Sequence, residues 1–329
     1  MSVKVSIIVP VYNAENFIEK TAKSLMKQTC QDLELIFVED GSEDGSYERL
    51  EALARKDERI RILRQENQGT AKARNAGIRM AQGTYVMFMD DDDWVPNSYV
   101  EEYVEAADRM EADIVIGGYR RVSQSGVVLE KRRIARGELV VYGDDWRRFI
   151  LIAPWAKIYR RDFVVRAGAE FLDYPYGEDI YFQTMLYALH PKVGYIDTVS
   201  YAWVYREDSV SNTLHKGIRE ESVIFPMMEE LLKVYPYRDE YFRYFLIRHC
   251  ARHLYFSAAD ARPEEIREEF KRCRSWLSGH GIRMPFSPFS KKLEGEKLRD
   301  RAAVAAVWLA GTLHMEGIFA RLVCRGGRE

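Results

Sequence analysis

Val5-Ser6-Ile7-Ile8-Val9-Pro10-Val11-Tyr12-Asn13-Ala14 is the stretch that decides the fold, because a short apolar run gives way within it to polar residues. The run from Val5 to Val9 is rich in β-branched side chains, which favours a buried strand. Pro10 ends this run, and Asn13 can cap a helix that we expect from about Ala14 to Gln28. A strand followed at once by a helix is the beginning of a βαβ unit.

The same alternation of strand and helix continues to about residue 117. Four more apolar, β-rich runs follow: Leu33 to Val38, Ile60 to Leu63, Tyr85 to Met89 and Ile114 to Ile116. Helical patterns lie between them, over about 69–81 and 97–110. Alternating strands and helices are typical of a parallel sheet. The sequence therefore predicts an α/β fold with a mostly parallel sheet flanked by helices.

The chain after residue 117 is organised differently. The segment Tyr119 to Tyr142 is short, charged and interrupted by glycines, which predicts a hairpin or a mobile loop. Beyond Gly217 the pattern becomes helical. We therefore predict a larger domain over 1–217, whose parts 1–117 and 118–217 differ in pattern, followed by a smaller helical C-terminal region over 218–329.

Composition excludes one class of partner. The 49 Lys and Arg residues nearly balance the 51 Asp and Glu residues, for a formal net charge of −2. Without a strong positive field we expect no nucleic-acid partner. The four cysteines lie far apart with no zinc-like spacing, as suits reduced thiols in a cytoplasmic protein.

Polar residues follow four of the predicted strands at the point where each strand ends. They are Tyr12-Asn13, Glu39-Asp40-Gly41-Ser42, Glu66-Asn67-Gln68-Gly69 and Asp90-Asp91-Asp92-Asp93. In a doubly wound sheet, ligands bind in a crevice beyond the carboxyl ends of the strands. We expect these four segments to line one such crevice.

The aspartate run is the sharpest of these signals. Neighbouring carboxylates repel one another, so keeping several ionised in a crevice requires a cation or raised pKa values. Oxygen ligands select Mg²⁺ or Mn²⁺, and Asp90 and Asp92 could present carboxylates toward one side. The alternative is a solvated acidic turn that caps the helix beginning near Pro96.

Asp40 and Tyr12 together suggest a pyrimidine pocket. Asp40 could accept a hydrogen bond from the imide N–H of uracil, and Tyr12 offers a face on which the base can stack. Asn67 and Arg74 could reach the base or a diphosphate. The alternatives are an ordinary turn at Asp40, a rim aromatic at Tyr12 and a surface helix charge at Arg74.

Four motifs now carry a resemblance to a known family: Ser6 to Ala14, Val38 to Ser46, Asn67 to Gly77 and Phe88 to Trp94. In order and spacing they resemble the family-2 glycosyltransferases of the bacterial surface-polysaccharide type, across roughly the first 210 residues. The resemblance implies a GT-A (Rossmann-like) fold, with Asp90 and Asp92 as the Asp-x-Asp metal motif. It implies nucleotide contacts at Pro10, Tyr12, Asn13, Asp40, Asn67 and Asp91, and many relatives carry Ser at the last of these positions.

Later segments resemble the acceptor side of the same family. Trp155 and Lys157 lie in one of them, and Glu178 and Asp179 lie in the other. The resemblance implies that Asp179 is the catalytic base and that Glu178 orients it or the acceptor. The alternative is that both carboxylates cap a helix from about 180 to 189. Arg206, in a loop that resembles the family's diphosphate loop, could neutralise the leaving group or be a surface salt-bridge residue.

These features predict an inverting, metal-dependent glycosyltransferase that uses Mn²⁺ or Mg²⁺. The donor is a nucleotide-sugar, a UDP-sugar by preference, and the acceptor is a glycan or a lipid-linked molecule in cell-surface polysaccharide synthesis. One alternative is a sugar nucleotidyltransferase, but the residues after the first strand lack the Gly-rich, basic loop that holds a triphosphate. A non-catalytic nucleotide-sugar-binding module is the other.

The C-terminal segment raises the question of location. Ala302 to Val323 reads as one helix with basic residues around it, and the region 291–328 could lie on an anionic membrane surface or dock on its own protein. We therefore expect a cytoplasmic protein, with peripheral contact at the inner face of the cell membrane as an option. A homo-oligomer is also left open.

Overall fold

The computed structural model describes residues 3–142, 145–174, 177–207, 224–235 and 239–325, and the chain divides into two compact units. The first comprises Met1–Gly143 and Leu151–Tyr205, and the second comprises Asp144–Ile150 and Arg206–Glu329. The boundary predicted near Gly217 lies outside the described residues. The division into 1–217 and 218–329 therefore stays a prediction.

The described part of the first unit contains strands and helices in alternation. Its strands are β1 (Val5–Val11), β2 (Leu33–Asp40), β3 (Ile60–Gln65), β4 (Tyr85–Phe88), β5 (Ile114–Ile116), β6 (Tyr119–Val122), β7 (Val128–Arg132), β8 (Leu139–Tyr142), β9 (Lys157–Arg160), β10 (Lys192–Tyr195) and β11 (Tyr201–Val204). Its helices are α1 (Ile18–Met26), α2 (Ser46–Ala54), α3 (Thr70–Met80), α4 (Tyr99–Met110), α5 (Arg161–Arg166) and α6 (Glu178–Ala188). All five strands predicted from apolar runs are confirmed.

An eight-stranded sheet forms the core of this unit, in the order β3-β2-β1-β4-β9-β5-β10-β8. Strands β3, β2, β1 and β4 are parallel neighbours, and β5 is parallel to β10. The prediction of an α/β fold with a mostly parallel sheet is confirmed. Every residue of β1 and β2 is buried, as expected for central parallel strands covered by helices on both faces.

Strand β9 is one of the elements that the sequence pattern missed. It lies antiparallel between β4 and β5, with Val86 opposite Tyr159 and Val115 opposite Ile158. A strand inserted from much later in the chain leaves no mark on the local alternation of strand and helix. A second, three-stranded sheet of order β11-β6-β7 contains the hairpin predicted between Tyr119 and Tyr142.

Asn13 does not cap the first helix, contrary to the expectation from sequence. It adopts a left-handed backbone conformation with φ of 50°, and its side-chain oxygen accepts a hydrogen bond from the Glu43 backbone N–H at 2.9 Å. Helix α1 begins only at Ile18, without a side-chain cap. Asn13 therefore joins the ends of β1 and β2 instead of starting a helix.

The described part of the second unit is helical. Its helices are α7 (Ile224–Val234), α8 (Glu240–Arg252), α9 (Pro263–Gly279), α10 (Leu298–Thr312) and α11 (Glu316–Val323), with 3₁₀ turns at Trp146–Phe149, Ala258–Asp260 and Lys291–Leu293 and a π turn at His253–Ser257. Residues 145–150 join this unit through Trp146, whose ring packs edge-to-face on Tyr244 at 5.1 Å. The indole N–H of Trp146 donates to the Glu296 carboxylate at 3.1 Å.

The prediction of a single helix from Ala302 to Val323 is wrong, because the helix is interrupted between α10 and α11. His314 adopts a left-handed conformation with φ of 54°, which ends α10 and reverses the chain. Phe319 on α11 then packs edge-to-face on Phe270 of α9 at 5.1 Å. In the part of the chain that the structure describes, no helix has the length and apolar character needed to span a bilayer.

Close packing of α3 on β1 yields a first prediction. A Cβ at Gly77 would lie 2.4 Å from the Cγ2 atom of Ile8, in the middle of the buried sheet. Gly77→Ala should therefore lower the free energy of unfolding by about 1–3 kcal/mol, measured by urea denaturation. The matched control is Gly279→Ala, where an added Cβ meets nothing within 4 Å. An unchanged unfolding midpoint for Gly77→Ala would contradict the packing described here.

Candidate active site

The structure brings together the polar ends of strands β1, β2 and β4. The Tyr12 backbone N–H donates to the Asp91 carboxylate at 3.2 Å, which links the ends of β1 and β4. The Asn13 N–H donates to the Ser42 hydroxyl at 3.1 Å, which links the ends of β1 and β2. These backbone-to-side-chain hydrogen bonds join the ends of strands that are neighbours in the sheet, and one crevice lined by all four polar segments stays a prediction.

Asp40 is buried and already holds the loop that follows β3. Its carboxylate accepts from the Gln65 side chain at 2.7 Å, from the Gln68 N–H at 3.0 Å and from the Gly69 N–H at 2.8 Å. A carboxylate has about four acceptor positions, so one is left for a donor such as an imide N–H. The Asn67 side-chain amide oxygen also accepts a hydrogen bond from the Gly69 N–H at 3.2 Å. Asp40 and Asn67 thus shape one loop.

Tyr12 offers the exposed aromatic surface of the crevice. Its side chain is 44% exposed, whereas Pro10 is buried within β1. The roles of these two residues toward a nucleotide stay predictions.

Arg74 is the centre of the site. Its buried guanidinium lies 2.9 Å from the Asp90 carboxylate, 2.8 Å from the Asp179 carboxylate and 3.5 Å from the Glu178 carboxylate. The guanidinium also lies 5.2 Å from the centre of the Phe171 ring. Arg74 is therefore no surface charge, and it joins the aspartate run after β4 to the first turn of α6. Glu178 and Asp179 occupy that first turn, but neither side chain caps the helix, because the N-cap residue is Gly177 and α6 has no side-chain cap hydrogen bond.

The charges around Asp179 set its affinity for a proton. The pKa of this carboxyl is raised to about 8: burial raises it, the positive charge of Arg74 lowers it, the negative charges of Glu178 and Asp90 raise it, and the positive charge of Lys157 lowers it. About a quarter of the side chain is exposed, so it can reach a bound molecule. A carboxyl whose pKa lies near neutrality is suited to exchange a proton with an alcohol at physiological pH.

The four aspartates after β4 do not share one environment. Asp93 is fully buried, accepts a hydrogen bond from the Tyr201 hydroxyl at 2.5 Å and accepts another from the Val204 N–H at 2.7 Å. Burial, followed by the negative charges of Asp92 and Asp90, raises the pKa of Asp93 well above its usual range. Asp93 is therefore a structural anchor between β4 and β11, a role that the sequence pattern did not reveal.

Thr21 and Tyr201 are two further residues that sequence reasoning missed. The Thr21 hydroxyl lies 2.8 Å from the backbone oxygens of both Asp91 and Asp93, and the Tyr201 hydroxyl accepts from the Asp90 N–H at 3.3 Å. Both residues come from elements distant in sequence from the aspartate run. No local signal marks them, because each acts by fixing the backbone of the run.

The site fits a divalent cation in charge but does not supply a complete set of ligands. Among the described residues, no three His, Cys, Asp or Glu side chains are arranged to hold an ion. Asp90 and Asp92 offer two carboxylates, which is the protein share typical of a Mg²⁺ or Mn²⁺ site completed by substrate phosphates. Asp90 is shared with Arg74, so a cation would compete with that guanidinium.

Trp155 and Lys157, predicted on the acceptor side, are both buried. The Trp155 ring stacks on Tyr201 at 4.6 Å and 5°, and the Lys157 ammonium donates to the backbone oxygens of Leu151, at 2.8 Å, and Ala153. Burial lowers the pKa of Lys157 to about 7, and Asp179 opposes that shift. Both side chains support the residues of the site from within, and contact with an acceptor stays a prediction.

Arg206 belongs to the second unit, whereas the other candidate residues belong to the first. Its assignment to the leaving group stays a prediction. The segment that follows it, residues 208–223, lies outside the described residues.

The first unit has a mostly parallel sheet, polar loops at the carboxyl ends of its strands and a cluster of carboxylates beside them. This arrangement is typical of α/β enzymes that bind nucleotides. Residues 6–165 match the family model described as "Glycosyl transferase family 2". Over 323 residues the chain is 33% identical to the Bacillus subtilis glycosyltransferase EpsJ, covering 89% of this chain and 90% of EpsJ. The chain belongs to family 2 of the glycosyltransferases, and it is an enzyme of that class.

Two other comparisons agree with this assignment. The chain is 33% identical over 220 residues to the glycosyltransferase GlyA of Streptococcus pneumoniae, a match that spans 63% of this chain but only 31% of GlyA's length. The crystal structure of S. aureus TarS 1-349 in complex with UDP-GlcNAc matches with a TM-score of 0.72 and 20% identity, over 94% of this chain and 92% of that one. This likeness to a solved structure establishes the GT-A fold.

Removal of the Arg74 guanidinium should destabilise the first unit in a pH-dependent way. Arg74→Met leaves buried carboxylates without their cation, so we expect a loss of about 2–4 kcal/mol in the free energy of unfolding near neutral pH. Unpaired carboxylates have raised pKa values in the folded state, so the loss should be largest above those values and should shrink as the pH falls and the carboxyls take up protons. Urea denaturation at about pH 8 and about pH 5 measures it.

Lys72→Met is the matched control on the same helix, because Lys72 pairs at 2.9 Å with Asp173 in an exposed salt bridge. That substitution should cost less than about 1 kcal/mol at either pH. Equal losses in the free energy of unfolding for the two variants would contradict a special electrostatic role of Arg74.

Proposed function

We propose that this chain is an inverting, metal-dependent glycosyltransferase that moves a sugar from a UDP-sugar to a glycan or lipid-linked acceptor in cell-surface polysaccharide synthesis. The observation that carries the proposal is the position of Arg74. One buried guanidinium contacts Asp90 of the Asp-x-Asp motif on one side and Asp179 on the other. A group at the leaving phosphate and a group at the incoming alcohol are thereby held a fixed distance apart.

Asp179 acts as the base in this proposal. An inverting transfer requires one carboxylate to accept the acceptor hydroxyl proton while the oxygen attacks the anomeric carbon from the face opposite the diphosphate. Burial raises the pKa of Asp179 against the opposing positive charges of Arg74 and Lys157, and the resulting pKa of about 8 makes its ionised form a stronger base than an ordinary aspartate. Glu178, in the same helical turn, orients the carboxylate or the acceptor.

The leaving group is bound on the other side of Arg74. Asp90 and Asp92 would hold Mn²⁺ or Mg²⁺, which when bound neutralises the charge that develops on the diphosphate. Tyr12, Asp40 and Asn67 would bind the uracil end. Support for a UDP-sugar comes from the TarS structure, which contains UDP-GlcNAc.

The remaining candidate contacts complete the donor site in this proposal. Pro10 and Asn13 would bind through the β1 end, Asp91 through its position beside Tyr12, and Arg206 at the diphosphate. Trp155 and Lys157 would shape the acceptor side. Family membership leaves the sugar-nucleotidyltransferase alternative without support. We retain a cytoplasmic location with peripheral contact of residues 291–328 at the inner face of the membrane, and a homo-oligomer as an option.

Asp179→Asn provides the direct test of the base. The variant should still be stabilised by UDP with Mn²⁺ in a thermal-shift assay, because the nucleotide contacts are intact. Its rate of sugar transfer, or of donor hydrolysis when no acceptor is supplied, should fall by about 10²- to 10⁴-fold. Asp173→Asn, at an exposed carboxylate outside the site, is the matched control and should keep the wild-type rate.

Near-normal turnover by Asp179→Asn would remove this residue from the role of base. A screen of nucleotide-sugars for Mn²⁺-dependent thermal stabilisation identifies the donor in the same format. Failure of every nucleotide-sugar to stabilise the wild-type protein, with no donor hydrolysis, would contradict the proposed function as a whole.

A further inference from the structure

Several large apolar side chains on α10, on α11 and in the turn between them are exposed. We define the apolar patch as Trp308, Leu309, Leu313, Ile318 and Leu322. These five side chains are between 44% and 73% exposed. Such large apolar side chains are rarely left in water together on a soluble surface unless something covers them.

Helical spacing groups the members of the patch. Leu309 and Leu313 are four residues apart at the end of α10, and Ile318 and Leu322 are four residues apart on α11. Residues at this spacing lie on the same side of a helix. Each helix end therefore presents its own pair of exposed aliphatic side chains, and Trp308 lies next to the first pair.

The opposite side of α11 is fixed in the protein. Phe319 and Ala320 are buried, and Phe319 packs on Phe270 and on Tyr255, with ring centres 5.1 and 5.6 Å apart. The Glu316 carboxylate pairs with Arg274 of α9. The helix is thus already anchored through one side, and burying Ile318 and Leu322 against the unit itself would expose Phe319.

Charge distinguishes this surface from an ordinary interface. Asp300 and Glu316 are the acidic residues of segment 298–325, and both are buried. Arg299, Arg321 and Arg325 are exposed in the same segment. In the part of the chain that the structure describes, Arg321 and Arg325 form no salt bridge. The exposed ionised side chains of both helices are therefore all positive.

We propose that the apolar patch, together with Arg321 and Arg325, docks the second unit on an anionic lipid surface. This inference rests on the proposed peripheral location and names the surface responsible for it. Exposed aliphatic side chains and a tryptophan beside arginines are the composition of helices that lie in a membrane interface. The apolar side chains enter the acyl boundary and the guanidinium groups contact lipid phosphates.

A second copy of the chain fits the patch less well. Five side chains are far fewer than the 20 to 30 residues on each side that a stable protein interface typically uses, about 800 Å² per partner. Helices α10 and α11 expose no acidic side chain with which the arginines of a second copy could pair. A lipid surface supplies both features that a second copy lacks: a large contact area and negatively charged phosphate groups.

Vesicle flotation of the full chain tests the proposal. Neutral vesicles of phosphatidylcholine are compared with vesicles that contain roughly 30% phosphatidylglycerol, at low and high salt. The wild-type protein should float with the anionic vesicles at low salt and much less with neutral ones. Arg321→Gln with Arg325→Gln should weaken the partition by about 25-fold, at roughly fivefold for each arginine.

A second variant tests the apolar part. Leu313→Gln, Ile318→Gln and Leu322→Gln together should weaken partition by at least about tenfold, because inserted aliphatic surface is lost. The matched control carries the same change at three exposed apolar positions of the first unit, Leu129→Gln, Val165→Gln and Leu189→Gln. Arg55→Gln with Arg79→Gln controls for charge. Circular dichroism and the thermal midpoint confirm that every variant is folded.

Three results would overturn the proposal: no flotation of the wild-type protein, flotation that the patch variants do not weaken, or equal weakening by the matched controls. If light scattering showed a dimer that the triple variant dissociates, with no vesicle binding, a second copy would cover the patch and the lipid proposal would be wrong. Stabilisation by UDP-sugar and Mn²⁺ in the same protein samples reports separately on the proposed enzymatic function. Loss of membrane binding alone leaves that function standing.

Discussion

The pairing of one buried guanidinium with three carboxylates is the constraint on which the site depends. Arg74 comes from α3, Asp90 follows β4, and Asp179 and Glu178 begin α6, so a single side chain ties together three segments separated by up to 105 residues. Glycine at position 77 lets α3 approach β1 closely, which keeps the arginine in place. The packing of α3 on the sheet therefore also determines the electrostatics of the crevice.

The surrounding residues solve the excess of negative charge in different ways. Burial and repulsion favour the neutral form of Asp93, and Tyr201 and Val204 hydrogen-bond to it. The guanidinium of Arg74 lies between the carboxylates of Asp90 and Asp179. The aspartate run thus contains both Asp93, a buried carboxyl with a strongly raised pKa, and Asp90, a partly exposed carboxylate paired with Arg74. Groups of one chemical type therefore have different environments within one short run.

Local sequence patterns predicted the five parallel-type strands, their helices and the polar segments at the strand ends, because all of these have short-range signals. Strand β9 was missed because it lies outside the alternation of strand and helix and pairs antiparallel with two strands from earlier in the chain. Arg74 could be named as a candidate, but its three partners could not be read from spacing. The break at His314 was also invisible, because an uninterrupted apolar pattern continues through it. Pairings between distant segments decide these features.

Residues 144–150 leave the first unit and return to it at Leu151, while their aromatic side chains pack in the second. Trp146 finds Tyr244 and Glu296, and Phe149 stacks on Phe245 at 4.7 Å, all on segments made much later by the ribosome. During synthesis these rings have no partners on which to pack until roughly a hundred further residues have emerged. Nascent chains would therefore be most exposed to chaperones after the sheet has been made and before α8 arrives.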